Sequence, residues 1–245
     1  MPPLYPKMRE RPPEFRVNPA SPLYSSLRFA SLGSCSQSAR LFDASPRRDY
    51  SAQLTGLSPS EAWSYDAHLR RPRLMFDGSS YWRIPNGWTS PYTCLTVCTW
   101  VQVDSFSSSI VGFVGNDANG ISRGWQFRYN IKKLNFVAVP SPVTYAYGPF
   151  SVNAGELHHA AATANGSELR VYCDGVAGDP IAYSQSFPIP LYTWLGNCHS
   201  TGSTNPYSPY FMRGSIADAM IFGDALSPSM IAQLADPSNV DLRVA

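Results

Sequence analysis

The sequence predicts an all-β protein, built as a sandwich or jelly roll. Of its 245 residues, 22 are proline and 17 are glycine, and charged residues amount to 15%; this composition favours many turns and few amphipathic helices. From residue 74 onward, short apolar segments alternate with turn residues, which is typical of antiparallel sandwiches. One short C-terminal segment, SPSMIAQLA, has helical spacing, with Ser227 as N-cap and Pro228 at the first helical position. The hydrophobic content of 44% is sufficient for the core of one large domain.

The first 22 residues are predicted to form an extended arm, and residues 23–245 the jelly-roll domain. The arm contains seven prolines, which exclude a helix and remove backbone donors that a central strand requires. Residues 1–73 also contain eleven Lys and Arg against six Asp and Glu. We expect the arm to dock on a neighbouring protein chain. Two aromatic anchors and four basic side chains make this predicted contact: Tyr5, Phe15, Lys7, Arg9, Arg11 and Arg16.

Eight segments from residue 73 onward carry the strand pattern. In order, they are RLMFDGSSYWRIP, CLTVCTWVQVD, SIVGFVGN, GWQFRYN, KLNFVAV, ELHHAAATANGSELRVYCDGV, LYTWLGN and FMRGSIADAMIFG. The sixth is interpreted as a hairpin, because Asn165-Gly166 suits a type I′ turn with positive φ at both central residues. Asp174-Gly175 offers the same turn chemistry one strand later.

Four motifs, in this order, resemble those of the concanavalin A-like, laminin-G-like jelly-roll family. They are matched by residues 76–85 (FDGSSYWRIP), 95–101 (LTVCTWV), 157–175 and 214–234. The third motif departs from the family at Leu157, where Trp is usual, and at Cys173, where an aliphatic residue is usual. The resemblance implies an antiparallel jelly-roll sandwich over about residues 74–234. Because one fold hosts many functions, it does not by itself imply an activity.

The residues do not indicate an enzyme. Relatives of this fold include glucanases, whose retaining mechanism needs two carboxylates about 5 Å apart. The ExDxE arrangement is absent, and Glu156 and Glu168 in the hairpin have no carboxylate two or four positions away. We therefore expect no catalytic residues and no enzymatic activity.

The cysteines and histidines are interpreted as structural. The five cysteines are odd in number and include no CxxC pair, so neither a disulfide framework nor a structural zinc site is indicated. Cys98 and Cys173 are expected to be buried, free thiols in core strands. His158 and His159 are adjacent and therefore lie on opposite faces of a strand, so they cannot both bind one metal ion.

No cofactor is predicted, although calcium is left open. Many relatives of this fold bind calcium through loop carboxylates and carbonyls, and the segment GNDANG supplies oxygens from Asn116, Asp117 and Asn119. A turn uses the same residue types. Both interpretations of this segment therefore remain.

Two aromatic, proline-rich segments, VTYAYGPF and STNPYSPYF, are interpreted as surface loops that carry recognition. Tyr145, Tyr147, Tyr207 and Tyr210 are the candidate contacts with a glycan or a protein partner. Two functions remain open, a structural part of a larger assembly and a carbohydrate-binding module for cell-surface glycans. The resemblance extends to compact laminin-G-like proteins of bacteriophage-type genomes. It implies the first function, as a homo-oligomeric decoration or surface protein of a phage virion that contacts other capsid chains.

Targeting signals are not evident in the sequence. There is no apolar stretch of 18 residues, and the first 15 residues lack the apolar centre of a signal peptide. We therefore expect cytoplasmic synthesis before incorporation into a virion, without membrane insertion. Basic and aromatic residues do not interleave along a strand as a nucleic-acid stacking platform requires, so no nucleic-acid partner is predicted.

Overall fold

Most of the described residues belong to two antiparallel sheets. The computed structural model describes residues 16–17, 20–21, 23–31, 40–42, 51–85, 90–106, 109–118, 124–140, 142–189, 192–200, 208–238 and 243–244. In chain order, the strands are β1 (Arg16–Val17), β2 (Leu27–Ser31), β3 (Arg40–Phe42), β4 (Ser51–Thr55), β5 (Trp63–Asp66), β6 (Arg71–Asp77), β7 (Tyr81–Pro85), β8 (Cys94–Val103), β9 (Ile110–Gly115), β10 (Asp117–Ala118), β11 (Trp125–Asn130), β12 (Lys133–Ala138), β13 (Thr144–Ser151), β14 (Leu157–Asn165), β15 (Glu168–Cys173), β16 (Val176–Ala177), β17 (Ile181–Ala182), β18 (Tyr192–Leu195), β19 (His199–Ser200), β20 (Arg213–Phe222) and β21 (Arg243–Val244). A 3-10 turn spans Ser208–Tyr210, and the helix α1 spans Pro228–Leu234.

The two sheets have the crossed strand order of a jelly roll. The eight-stranded sheet has the order β13-β12-β11-β9-β18-β7-β4-β3. The nine-stranded sheet has the order β16-β15-β14-β8-β20-β6-β5, with β17 paired to β15 and β2 paired to β20. Neighbours in each sheet are antiparallel and often distant in sequence, as jelly-roll connections require. The predicted all-β sandwich is confirmed.

Two short strand pairs lie outside these sheets. β10 pairs with β19 in parallel, and β1 pairs with β21 in antiparallel fashion. Arg16 and Val17, which belong to the predicted arm, thus pair with this chain's own Val244 and Arg243. The arm's other predicted contact residues lie outside the described part of the chain: Tyr5, Lys7, Arg9, Arg11 and Phe15. Docking on a neighbouring chain stays a prediction.

The main core lies between the two sheets and is built from alternate strand residues. On β11, Trp125, Phe127 and Tyr129 point into this core, and Ala160 and Ala162 on β14 do so from the opposite sheet. Because successive strand side chains face opposite ways, the residues between them lie on the outer faces. The alternation therefore decides which side chains are available for function.

A second apolar layer covers the outer face of the nine-stranded sheet. Cys98 and Tyr172 on that face belong to one buried cluster with Ile231 of α1. The helix begins after Ser227, whose Oγ accepts a hydrogen bond from Met230 N at 3.3 Å. The predicted N-cap, and the proline at the start of the helix, are confirmed. A membrane-spanning helix is not found in the described part of the chain.

The two turns that the sequence assigns to type I′ differ in the structure. Asp174 and Gly175 both have positive φ, 50° and 79°, so type I′ is confirmed there. At the first turn, positive φ occurs at Gly166 but not at Asn165. Asn165 instead ends β14, and its Oδ1 accepts a hydrogen bond from Ser167 N at 2.9 Å. Type I′ is wrong at this turn, because the asparagine supports it with its side chain rather than occupying a central position.

Cys98 and Cys173 are buried and free, as predicted. Cys98 lies in the outer cluster below α1, whereas Cys173 lies in the core between the sheets. The two thiols are therefore on opposite faces of one sheet and cannot form a disulfide with each other. Burial raises the pKa of both thiols, which keeps them protonated near neutral pH.

Candidate functional site

The outer face of the eight-stranded sheet carries rows of polar and aromatic residues. Residues that pair directly across neighbouring strands place their side chains on the same face. One row runs across seven strands and consists of Tyr145, Val137, Gln126, Gly115, Trp194, Arg83 and Gln53. A second row consists of Tyr147, Asn135, Arg128 and Gly112. The part of this surface on β11, β12 and β13 is called the tyrosine face and comprises Gln126, Arg128, Asn135, Val137, Tyr145 and Tyr147.

A hydrogen-bonded network holds the polar side chains of the tyrosine face. Arg128 Nε donates to Asn135 Oδ1 at 3.0 Å, and Arg128 Nη1 donates to Gln126 Oε1. Asn135 Nδ2 donates in turn to the backbone oxygen of Ala146 on β13, at 3.0 Å. Arg128 is only 6% exposed, yet among the described residues its hydrogen bonds go to neutral amides. The network thus fixes a positive charge beside this face, and no carboxylate in the described part of the chain pairs with it.

The described parts of the connection from β18 to β20 lie against this sheet, and one of them places Tyr210 near Arg128. A Cβ at Gly112 would lie 2.7 Å from the Cys198 backbone nitrogen, so a side chain on β9 would displace the segment that lies against it. Further along this connection, the Tyr210 ring centre lies 5.9 Å from Arg128 Cζ, within cation–π range. Tyr210, a predicted partner contact, therefore covers the network of the tyrosine face.

Tyr145 and Tyr147 remain the exposed aromatic residues of the tyrosine face, at 46% and 42% exposure. The interpretation of their segment as a surface loop is wrong, because they lie on β13, the edge strand of the eight-stranded sheet. An edge strand tolerates Pro149, since half of its backbone groups need no sheet partner. Alternation directs both tyrosines outward, where the crossing connection does not bury them. Tyr207 lies outside the described residues.

The other end of the first row is also aromatic and basic. Arg83 Nη2 donates to Gln53 Oε1 at 3.2 Å, and Arg83 Cζ lies 4.8 Å from the Tyr192 ring centre. The Trp194 and Tyr81 rings meet edge-on, with centroids 5.5 Å apart. The eight strands of this sheet contain no Asp or Glu. These strands can donate hydrogen bonds and stack on apolar surfaces, but they do not supply the paired carboxylates of a retaining glycosidase.

The adjacent histidines face opposite sides of the nine-stranded sheet, as predicted. His158 Nδ1 lies 2.7 Å from Asp174 Oδ2, and His158 Nε2 lies 3.3 Å from Glu156 Oε2. The hydrogen bond with Asp174 raises the pKa of His158, and the bond with Glu156 adds to this effect although partial burial opposes it. Bonds from Asn153 hold Glu156 and lower the pKa of its carboxyl. The two carboxylates together favour the charged imidazole.

His159 is a buried packing residue on the outer side of the same sheet. Its ring meets the Trp100 ring edge-on, with centroids 5.3 Å apart. Neither of its ring nitrogens has a hydrogen-bond partner among the described residues. Burial lowers the pKa of His159 to about 4, so this ring is neutral at pH 7.

The candidate calcium ligands are described only in part. Asn116 is buried, and its Oδ1 accepts a hydrogen bond from Trp125 N at 2.9 Å while its Nδ2 donates to the Tyr92 hydroxyl at 3.2 Å. Its side-chain oxygen therefore links the end of β9 to β11. Asp117 lies on β10 without a described side chain, and Asn119 lies outside the described residues. Calcium binding stays a prediction.

Sequence reasoning missed the polar part of the tyrosine face. Gln126, Arg128 and Asn135 lie in GWQFRYN and KLNFVAV, which the sequence identifies as strands without a functional role. The available signal is the alternation of these polar residues with apolar ones, which places them on one face. Their position beside Tyr145 and Tyr147 depends on the register of three strands, and no motif specifies that register.

Comparison with known proteins agrees with this architecture. The family model described as the concanavalin A-like lectin/glucanases superfamily (Laminin_G_3) matches residues 76–232. Among curated proteins, no significant match is found.

Solved structures with the same fold include sugar complexes. Domain 4 of AbnA, a GH43 extracellular arabinanase from Geobacillus stearothermophilus in complex with arabinotriose, has a TM-score of 0.64 at 17% identity, covering 86% of this chain and 98% of that chain. The botulinum neurotoxin serotype D ligand binding domain in complex with N-acetylneuraminic acid has a TM-score of 0.62 at 13% identity, with coverages of 88% and 52%. The binding domain of Paraclostridial Mosquitocidal Protein 1 has a TM-score of 0.65 at 13% identity, with coverages of 87% and 52%. This chain spans about half the length of the two toxin domains. At these identities the likeness shows the fold alone.

Proposed function

Because the chain belongs to the concanavalin A-like lectin/glucanases superfamily, we propose that it is a non-enzymatic carbohydrate-binding protein that holds an oligosaccharide on its tyrosine face. The observation that carries the proposal is the pair of exposed tyrosines, Tyr145 and Tyr147, beside a buried network of amide and guanidinium groups. Ligand sites combine aromatic surface with a few fixed polar groups. Sugar rings offer an apolar face to the aromatic rings and hydroxyls to the polar groups.

The spacing of the two tyrosines suits an extended saccharide. Residues two apart on a strand are separated by about 6.6 Å, since each residue advances about 3.3 Å. Both rings project to the same side of β13, so one chain of sugar units lying along this edge strand contacts both. The Arg128 network adjoins them on β11 and β12, within the same rows of paired residues.

The sugar-bound relatives support this class of ligand. The arabinanase domain was solved with arabinotriose and the neurotoxin domain with N-acetylneuraminic acid, one neutral and one acidic saccharide. In this chain, Arg83 and Arg128 lie on a sheet whose strands contain no Asp or Glu. This charge distribution favours a saccharide that carries carboxylate groups.

Binding without hydrolysis follows from where the carboxylates lie. Glu156 and Asp174 are brought together by His158 on the nine-stranded sheet, not on the tyrosine face. We therefore propose that the bound saccharide is left intact.

A role as a phage virion surface protein is a second, finer proposal that rests on the sequence. Its support is the proline-rich, basic arm, whose contact residues lie outside the described part of the chain apart from Arg16. Arm docking and sugar binding are proposed for different residues, so one chain can do both.

The proposed function is tested by binding to neutral and acidic oligosaccharides, first on an immobilised panel and then by calorimetric titration. We expect Tyr145→Ala and Tyr147→Ala each to weaken binding about tenfold or more, which is about 1.4 kcal/mol for each factor of ten. Tyr65→Ala is the matched control, because Tyr65 is 49% exposed on β5 of the other sheet. Wild-type protein that binds no saccharide, or a Tyr145/Tyr147 double variant that binds normally, contradicts the proposal.

A further inference from the structure

We propose that His158, Cys173 and Asp174 form a zinc site at the β14–β15 hairpin. A ring nitrogen of His158, Cys173 Sγ and an Asp174 carboxylate oxygen all lie within 4.8 Å of one another. Imidazole, thiolate and carboxylate are the ligand types that zinc uses in proteins. The site is separate from the tyrosine face and does not depend on the proposed sugar binding.

Strand register explains why these three side chains meet. Cys173 on β15 pairs with Ala160 on β14, and His158 lies two residues before Ala160, so His158 and Cys173 share the inner face of the sheet. Asp174 follows immediately in the type I′ turn, with φ of 50°. Its Oδ1 accepts a hydrogen bond from His159 N at 2.8 Å, which leaves Oδ2 directed at His158.

The distances are close to those of a coordination shell. Asp174 Oδ2 lies 2.7 Å from His158 Nδ1 and 3.9 Å from Cys173 Sγ. Zinc binds nitrogen and oxygen ligands at about 2.0–2.2 Å and sulfur at about 2.3 Å. The nitrogen and oxygen atoms need to separate by roughly 0.6 Å for the ion to enter in tetrahedral geometry, whereas the sulfur needs to approach. Loss of the thiol proton to solvent accompanies binding.

A second carboxylate supports the histidine from behind. Glu156 Oε2 lies 3.3 Å from His158 Nε2, so it can accept the Nε2 proton and leave Nδ1 free for the metal. Asn153 fixes this carboxylate through its backbone N, at 2.9 Å, and its Nδ2, at 3.0 Å. Such a carboxylate behind a ligating histidine is the usual support of a zinc ligand.

The cluster is buried on one side and open to solvent on the other, so a bound ion can also take a water ligand. Cys173 is fully buried and packs in the core. The Asp174 side chain is 41% exposed, so solvent reaches the opposite side of the cluster. Three protein ligands and one water complete a tetrahedral shell. Calcium fits less well, because it takes oxygen ligands.

The experiment measures metal binding by the full chain. Protein dialysed against zinc and then against metal-free buffer is expected to keep one zinc per chain by elemental analysis. Cobalt(II) in place of zinc is expected to give the near-ultraviolet charge-transfer band of a thiolate ligand. Cys173→Ala and His158→Gln are expected to lose both signals, with folding checked by circular dichroism. Cys98→Ala is the matched control, because Cys98 is buried on the opposite face of the same sheet, and it keeps both signals.

The partly exposed Glu156 gives a test that does not disturb the core. Glu156→Gln is expected to weaken zinc affinity 10- to 100-fold, in competition with a chromophoric chelator, as loss of such a supporting carboxylate typically does. Wild-type protein without zinc, a cobalt spectrum without the thiolate band, or zinc retained by Cys173→Ala each overturns the proposal.

Discussion

The outer faces of the two sheets differ in what covers them. On the nine-stranded sheet, Tyr172 is buried in one apolar cluster with Ile231 of α1. On the eight-stranded sheet, Tyr145 and Tyr147 stay exposed beside the Arg128 network. Both faces carry tyrosines on regular strands, so the residue type does not distinguish them; the covering segment does.

This difference separates stability from recognition. An apolar cover turns one sheet face into a packing surface, where side chains contribute through burial. Where the cover is partial, aromatic side chains retain exposed area that a ligand can bury instead. Substitutions on the covered face should therefore lower stability and spare binding, and substitutions of exposed residues on the tyrosine face should do the reverse.

The largest expected effect is on the covered face. Tyr172→Ala removes a buried ring beneath α1 and should lower the free energy of unfolding by about 3–5 kcal/mol, measured by urea denaturation. Saccharide affinity should be unchanged while the variant is folded. A loss below about 1 kcal/mol would show that the helix does not pack on this face as described.

The second prediction concerns acid stability and His159. Its pKa is about 4 in the folded protein and about 6.5 when unfolded, so the unfolded chain binds the proton more readily. The contribution of the neutral His159 ring to the free energy of unfolding is fully present above pH 6.5. It decreases by roughly 3 kcal/mol as the pH drops to 4. The pH dependence of thermal unfolding, measured with a chelator present, checks this.

His159→Phe is the control for this loss of stability at acid pH, because it keeps an apolar ring against Trp100 and removes the titrating group. Its stability should vary less between pH 6.5 and 4. His158 has the opposite sign: its pKa is raised, so its contribution is present at acid pH and is lost as the pH rises through the folded pKa. If the stability of His159→Phe fell between pH 6.5 and 4 as steeply as that of the wild type, His159 would not be the group responsible.

A smaller effect is expected within the tyrosine face. Arg128→Lys keeps the charge but cannot reproduce the planar donor set that reaches Asn135 and Gln126 beneath Tyr210. It leaves Asn135 Oδ1 without its donor and should lower the free energy of unfolding by about 1–2 kcal/mol. Saccharide affinity should fall as well, because the network no longer fixes the polar groups. If neither the free energy of unfolding nor the saccharide affinity of Arg128→Lys changed, the network would have no role in stability or binding.

The smallest effect on stability is expected at Tyr147. Because its ring is 42% exposed, Tyr147→Ala should change the free energy of unfolding by no more than about 0.5 kcal/mol, while saccharide binding weakens. Paired with Tyr172→Ala, it gives two tyrosine variants with opposite outcomes in the same two assays. Loss of both stability and binding in Tyr147→Ala, or in Tyr172→Ala while that variant is folded, would contradict the separation.

Much of the fold could be predicted from the sequence, because local patterns determine it. The strand at GWQFRYN follows from alternation, α1 from Ser227 and Pro228, and the turn at Asp174-Gly175 from its dipeptide. The turn at Asn165 could not be assigned in the same way. Its type depends on which residue ends β14, which tertiary pairing decides.

The sites were less predictable, because they join residues through non-local contacts. Tyr145 and Tyr147 were identified as recognition residues, but an edge strand and a loop share proline and exposed aromatics. Asp174 was predicted as a turn former and is one. Its proximity to His158 and Cys173 follows from the β14–β15 register rather than from any spacing along the chain.

Binding of the sugar by the tyrosine face can be tested by mapping the contact on the folded protein. Amide chemical shifts should be followed by NMR during titration with the oligosaccharide that binds most tightly. We expect shifts concentrated in β11, β12 and β13 and around Tyr210, with β8, β14 and β20 unaffected. Shifts concentrated on the nine-stranded sheet, or saturable binding that leaves β13 unchanged, would contradict it.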